Sequence, residues 1–126
     1  MSELNLKTKA INEIEKYFDD GSFLKDLDAR VKFQTVSRSK NKRPELFRYL
    51  KENLSPYLSE LGFNCKIVGN AEKDSEPIMI ASRIEGGNIP TVFSYAHADV
   101  VPGHEDQWLD GLSPWKVVEK KNKYFG

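Results

Sequence analysis

The stretch 58-LSELGFNCKIV-68 changes its apolar period in mid-course. Up to Leu61 the apolar residues recur at helical spacing. Beyond Gly62, Phe63, Cys65 and Ile67 alternate with polar neighbours, as in a half-buried strand. Gly62 suits a helix end, because glycine adopts the left-handed backbone that closes many helices. The chain therefore divides into a helical half and a stranded half, a pattern that defines an α/β layer structure.

Working back from Gly62, the stripe Leu46, Phe47, Leu50, Leu54, Leu58 and Leu61 predicts one helical segment, with Pro44 suited to its first turn. Pro56 lies inside that stripe and lacks a backbone donor, so a kink or break is expected near Asn53 to Ser55. The run Arg38 to Arg43 reads as a solvated basic loop, and residues 33–37 as a connector. Leu6, Ala10, Ile11, Ile14, Tyr17 and Phe18 predict a first helix, stopped at Asp20-Gly21. Ser22 is the expected cap of a second helix burying Phe23, Leu24, Leu27 and Val31.

Working forward, Ile78-Met-Ile-Ala81 is a short continuous apolar run, as a central strand shows. Residues 85–88 form a turn, and Thr91 to Tyr95 predicts a further strand running on towards residue 97. Two more short strands are expected at 115–118 and 123–125, around a turn at 120–122.

Composition narrows the function. The 126 residues suffice for one domain with a core and are too few for two ordinary ones. Lys plus Arg is 19 and Asp plus Glu is 19, a balance that argues against nucleic-acid binding as the main activity. Cys65 is the single cysteine, which excludes a disulfide framework and a Cys-rich zinc site and reads as a structural thiol. There is no apolar run of the ~20 residues needed to span a bilayer. The N-terminus lacks the layout of a signal peptide, so the expected setting is cytoplasmic.

The residues that look chosen for chemistry lie in 94-SYAHADVVPGHEDQW-108. Thr91, Phe93, Tyr95, His97 and Asp99 share one parity, so a continuing strand turns them the same way, with His97 and Asp99 about 6.5–7 Å apart along the backbone. A carboxylate at that distance can fix the tautomer of a metal-binding histidine. It can equally orient a catalytic histidine beside a nucleophile, or form a purely structural pair. His104-Glu105 begins like the helical zinc motif H-E-x-x-H, but Trp108 stands where the second histidine is required, so that motif is absent.

The series 97-HADVVP-102, Trp108, Pro114-Trp115 and Tyr124-Phe-Gly126 resembles the zinc aminoacylase and acetylornithine deacetylase family, which also includes succinyl-diaminopimelate desuccinylase, carnosinase-like dipeptidases and glutamate carboxypeptidases. Its members carry a G-H-x-D-V-V-P signature, a Trp, a Pro-Phe and a Y-G-R-G-x-x-D-x-K-G segment. The stretch 24–37, with its "P-T-V-S"-like connector, and Leu61-Gly-Phe63 fit the family's upstream pattern. Ala96 stands where the family has glycine and Trp115 where it has phenylalanine, and Gly126 is the last residue, where the R-G-x-x-D-x-K-G segment is due.

The resemblance implies an α/β fold, the N-terminal part of a zinc-exopeptidase-like catalytic domain in which helices cover a mixed sheet, with residues 1–126 as one portion of it. It implies that His97 ligates a metal and that Asp99 orients that histidine and supports catalysis. The cofactor is Zn2+, two ions in the complete enzyme, with another divalent metal such as Co2+ as the alternative. A family glutamate acts as general base in attack on an amide carbonyl, and the substrates are N-acyl amino acids or small peptides. The remaining ligands and a dimerisation domain are expected beyond Gly126, so the implied partners are a small substrate and, for the complete enzyme, a second copy of itself, with neither nucleic acid nor membrane. By itself the 126-residue portion is expected to be inactive. The alternative is a standalone, non-catalytic binding or regulatory module of α/β fold.

Overall fold

The computed structural model describes residues 3–37, 39–69 and 76–126; Arg38 of the basic run and the first two residues lie outside them. The chain groups into two compact units, Met1–Lys32 with Glu105–Gly126, and Phe33–His104.

The first unit opens with α1 (Glu3–Asp19) and α2 (Ser22–Val31). Between them Gly21 takes a left-handed conformation, φ 80°, so the expected stop at Asp20-Gly21 is found. The start of α2 differs from expectation. Ser22 is its first helical residue, and it is the Asp20 carboxylate that accepts the Ser22 N–H at 2.9 Å. Asp20 reaches two residues forward to an orphan donor, as Asx turns do. A bond from the Ser22 side chain first, and this backbone bond second, hold the Asp20 carboxyl below its ordinary value of 3.8. Tyr17 donates to Asp26 at 2.7 Å, and Phe18 and Phe23 meet at 5.7 Å between ring centroids, closing the helical hairpin. Along its length the stripe of α1 is open: Leu6, Ile11, Ile14 and Phe18 are exposed.

In the same unit, β3 (Val118–Lys120) and β4 (Lys123–Phe125) form an antiparallel hairpin with Lys120 opposite Lys123. The expected strand at 115–118 thus begins later. Lys121 and Asn122 have φ of 53° and 57°, the two left-handed residues of the tight turn whose twist matches a hairpin. The hairpin is tied to α2 through Asp28, whose carboxylate accepts the Val117 N–H at 3.1 Å.

The second unit is built on α3 (Arg43–Tyr49), a π-helical segment Leu50–Leu54 and α4 (Ser55–Glu60), a continuous run holding the buried Leu46 and Leu50. The break expected near Pro56 takes the form of the π-helical segment, in which the Ser55 N–H reaches back to the Leu50 carbonyl. An extra residue in the turn is one way a helix accommodates a proline. The run ends at Gly62, φ 85°, where the Gly62 N–H bonds the Ser59 carbonyl and the Phe63 N–H bonds the Leu58 carbonyl. This paired closure satisfies the last carbonyls of the helix.

Then come β1 (Asn64–Val68) and β2 (Ile78–Ser82), antiparallel, with Cys65 opposite Ala81 and Ile67 opposite Met79. These four side chains share the half-buried face, as the alternation from Phe63 predicts. Helices and strands mix as an α/β fold requires, and among the described residues the sheets are two antiparallel pairs. The run Ile78–Ala81 is not buried on both faces: Ile78 and Ile80 are exposed.

One expected strand does not form. Residues 90–99 have no regular structure, and Val92, Phe93 and Tyr95 are exposed. A strand exists only as part of a ladder, and among the described residues no neighbouring strand offers one. The nearest approach to pairing is a single parallel bridge between Val36 and Val100. Among the described residues, no helix is long and apolar enough to cross a membrane.

Candidate functional site

The site residues lie where the connector 33–37 meets residues 97–100. The connector is first anchored on α3. Phe33 meets Tyr49 edge-on, 5.4 Å between centroids, and the Arg48 guanidinium lies 5.1 Å from the Phe33 ring centre. Arg48 is itself held by Glu45 at 2.7 Å and Glu52 at 3.4 Å. The Lys42 ammonium donates to the Gln34 side-chain carbonyl.

From this anchor the connector grips the second segment. The Val100 N–H bonds the Thr35 carbonyl at 2.9 Å, and the Ser37 N–H bonds the Val100 carbonyl at 3.0 Å. The Thr35 hydroxyl donates to the Ala98 carbonyl at 2.8 Å, and Thr35 is only 4% exposed. Sequence reasoning treated residues 33–37 as a connector and missed Thr35. The signal available was its place in the "P-T-V-S"-like stretch.

His97 and Asp99 are brought together without the expected strand. The His97 Nδ1 lies 3.0 Å from the Asp99 backbone carbonyl and 3.3 Å from the Asp99 carboxylate. Both neighbours only accept hydrogen bonds, so the Nδ1 carries the proton and donates. In the neutral ring the Nε2 then keeps its lone pair, the form in which imidazole binds a metal. The His97 side chain is 72% exposed, so that nitrogen is accessible.

His104 is not gathered into this arrangement. It is exposed and holds a positive φ of 48°, in the irregular segment that follows Pro102-Gly103. Glu105 begins a 3₁₀ turn, Glu105–Gln107, and accepts the Trp115 indole N–H at 2.7 Å. Among the described residues, no group of three or more His, Cys, Asp and Glu side chains is placed to hold a metal ion. One imidazole falls short of the three protein ligands of a catalytic zinc.

In an alignment 108 residues long that covers 83% of the chain, it is 37% identical to an acetylornithine deacetylase of Buchnera aphidicola subsp. Schizaphis graminum (strain Sg). The chain spans about a quarter of that relative, 26% of its length. No family model matches the chain, and no solved structure matches it. The match thus lies within the family that residues 97–102 and their surroundings resemble, and the relative is by name a deacetylase of acetylornithine.

Proposed function

We propose that the chain is part of a metal-dependent amidohydrolase that cleaves the C–N amide bond of N-acyl amino acids or small peptides. The observation that carries this reading is the His97 ring, held through its Nδ1 by Asp99 with its Nε2 open to solvent, in a chain similar to an acetylornithine deacetylase.

In this reading the Nε2 of His97 holds a divalent metal, zinc in the first instance. Asp99 fixes the ring tautomer and raises its basicity. A metal bound there would supply Lewis-acid polarisation of the scissile carbonyl. Its other ligands come from the rest of a complete enzyme, which acts as a cytoplasmic homodimer on a small substrate.

The test is a zinc titration of the chain, followed at the His97 ring by NMR, beside an assay on an N-acetyl amino acid. The expected result is weak binding centred on His97, lost in His97→Ala, with no turnover by the 126 residues alone. A tight stoichiometric zinc site that survives His97→Ala would overturn the proposal. So would a ring that zinc leaves undisturbed.

A further inference from the structure

We infer that Thr35 is a positioning residue for His97 and Asp99: its hydroxyl holds the Ala98 carbonyl between them and so fixes how the pair is presented. The purpose of this latch rests on the metal-site reading above, whereas its geometry stands apart from it.

Three observations support the assignment. First, the hydroxyl is nearly sealed from water, at 4% residue exposure, and its donor is used on a carbonyl 63 positions along the chain. A buried hydroxyl committed to one distant acceptor holds that acceptor strongly, because the hydroxyl has little water to fall back on. Threonine is also stiff at χ1, so the bond has a defined direction.

Second, the bond falls at the sensitive point. The backbone bonds of Thr35 and Ser37 with Val100 secure the chain just beyond the pair. The hydroxyl acts on the peptide linking Ala98 to Asp99. Rotation of that peptide would carry the Asp99 carbonyl and carboxylate away from the His97 Nδ1, which lies 3.0 and 3.3 Å from them. Third, the imidazole is 72% exposed, so its orientation depends chiefly on that backbone and on Asp99. The other end of the latch is firm, since Phe33 is anchored on α3 and Gln34 is held by Lys42 just before it.

The experiment compares Thr35→Val, which keeps the shape and loses the hydroxyl, with Thr35→Ser, which keeps the hydroxyl. Hydrogen exchange is read at the Val100 amide, with the amides of β1 and β2 as the control for folding. Zinc affinity is read at the His97 ring. In Thr35→Val the Val100 amide should exchange about tenfold faster, and zinc should bind about tenfold more weakly, the lower end of what losing an outer support of a ligand costs. Thr35→Ser should match the parent in both, and β1–β2 protection should be unchanged throughout.

Equal exchange and equal zinc affinity in Thr35→Val and the parent would overturn the assignment. So would loss of β1–β2 protection in Thr35→Val, which would make Thr35 a general core residue. A parent ring that ignores zinc would defeat the metal reading only, with Val100 exchange still deciding for or against the latch.

Discussion

Asp28 and Val117 lie 89 positions apart, yet the Asp28 carboxylate accepts the Val117 backbone N–H at 3.1 Å. The same carboxylate pairs with Lys32 at 2.6 Å. The Lys32 bond first, and the Val117 N–H second, hold the Asp28 carboxyl below its ordinary value of 3.8. Both contacts favour the charged form. Their contribution is therefore complete above the ordinary value and is lost as the pH falls through the lower, folded one. Exchange at the Val117 amide, measured against a distant amide, should quicken selectively below about pH 4, and Asp28→Asn should remove that pH dependence.

Leu50 is 3% exposed in the π-helical segment, whereas Leu61 is 46% exposed at the end of the same run. Leu50→Ala should cost about 2–4 kcal/mol of stability in denaturant titration, and Leu61→Ala well under half of that. Equal losses would mean that the core does not sit around Leu46 and Leu50.

Lys121 occupies the first left-handed position of the β3–β4 turn, φ 53°, where a long side chain is disfavoured. Lys121→Asn supplies a residue suited to that conformation and should stabilise the hairpin by about 0.5 kcal/mol. The check is the melting temperature together with exchange at the amides of β3 and β4.

In a complete enzyme of the proposed kind, Asp99→Ala should lower turnover by about 10- to 100-fold through the loss of a supported ligand. His104→Ala should leave turnover nearly unchanged. Steady-state kinetics on an N-acetyl amino acid separates the two, and a large effect at His104 would move the site.

Val92, Phe93 and Tyr95 are 85%, 91% and 84% exposed, and Ile78 and Ile80 are also open. Exposed apolar residues at this density promote association. The 126-residue chain should bind an apolar dye and elute early in size-exclusion chromatography, and the double substitution Val92→Ser with Phe93→Ser should reduce both. A clean monomer at micromolar concentration that ignores the dye would contradict this.

What the sequence made legible follows from the range of the interactions involved. The stop at Gly21, the closure at Gly62, the disturbance before Pro56 and the β1 alternation are local effects, set by residues a few positions away. The strand expected at 91–97 failed because an apolar run states that burial is wanted, not which neighbour supplies it. Thr35 was hidden for a related reason: its acceptor lies 63 positions away, and the "P-T-V-S"-like stretch marks its place without naming that acceptor. The closeness of His97 and Asp99 needs only two intervening peptide units, so a short-range reading of them was possible even though the strand behind it does not form.

The π-helical segment also sets the phase of the leucines around it. An α-helix advances about 100° per residue, so leucines spaced by four drift about 40° per step. From Leu46 through Leu50 and Leu54 to Leu58, three such steps would rotate the last leucine about 120° away from the first. One surplus residue in the turn takes back about 100°, leaving Leu58 about 20° from the line of Leu46. The segment thus acts as a phase corrector, keeping a strict four-residue repeat on one side of a helix that turns every 3.6. Straightening the segment at unchanged length would swing α4 out of register with α3 by more than a quarter turn, whereas deleting a single residue from 50–54 would restore a plain α-helix with Leu58 still near the line of Leu46.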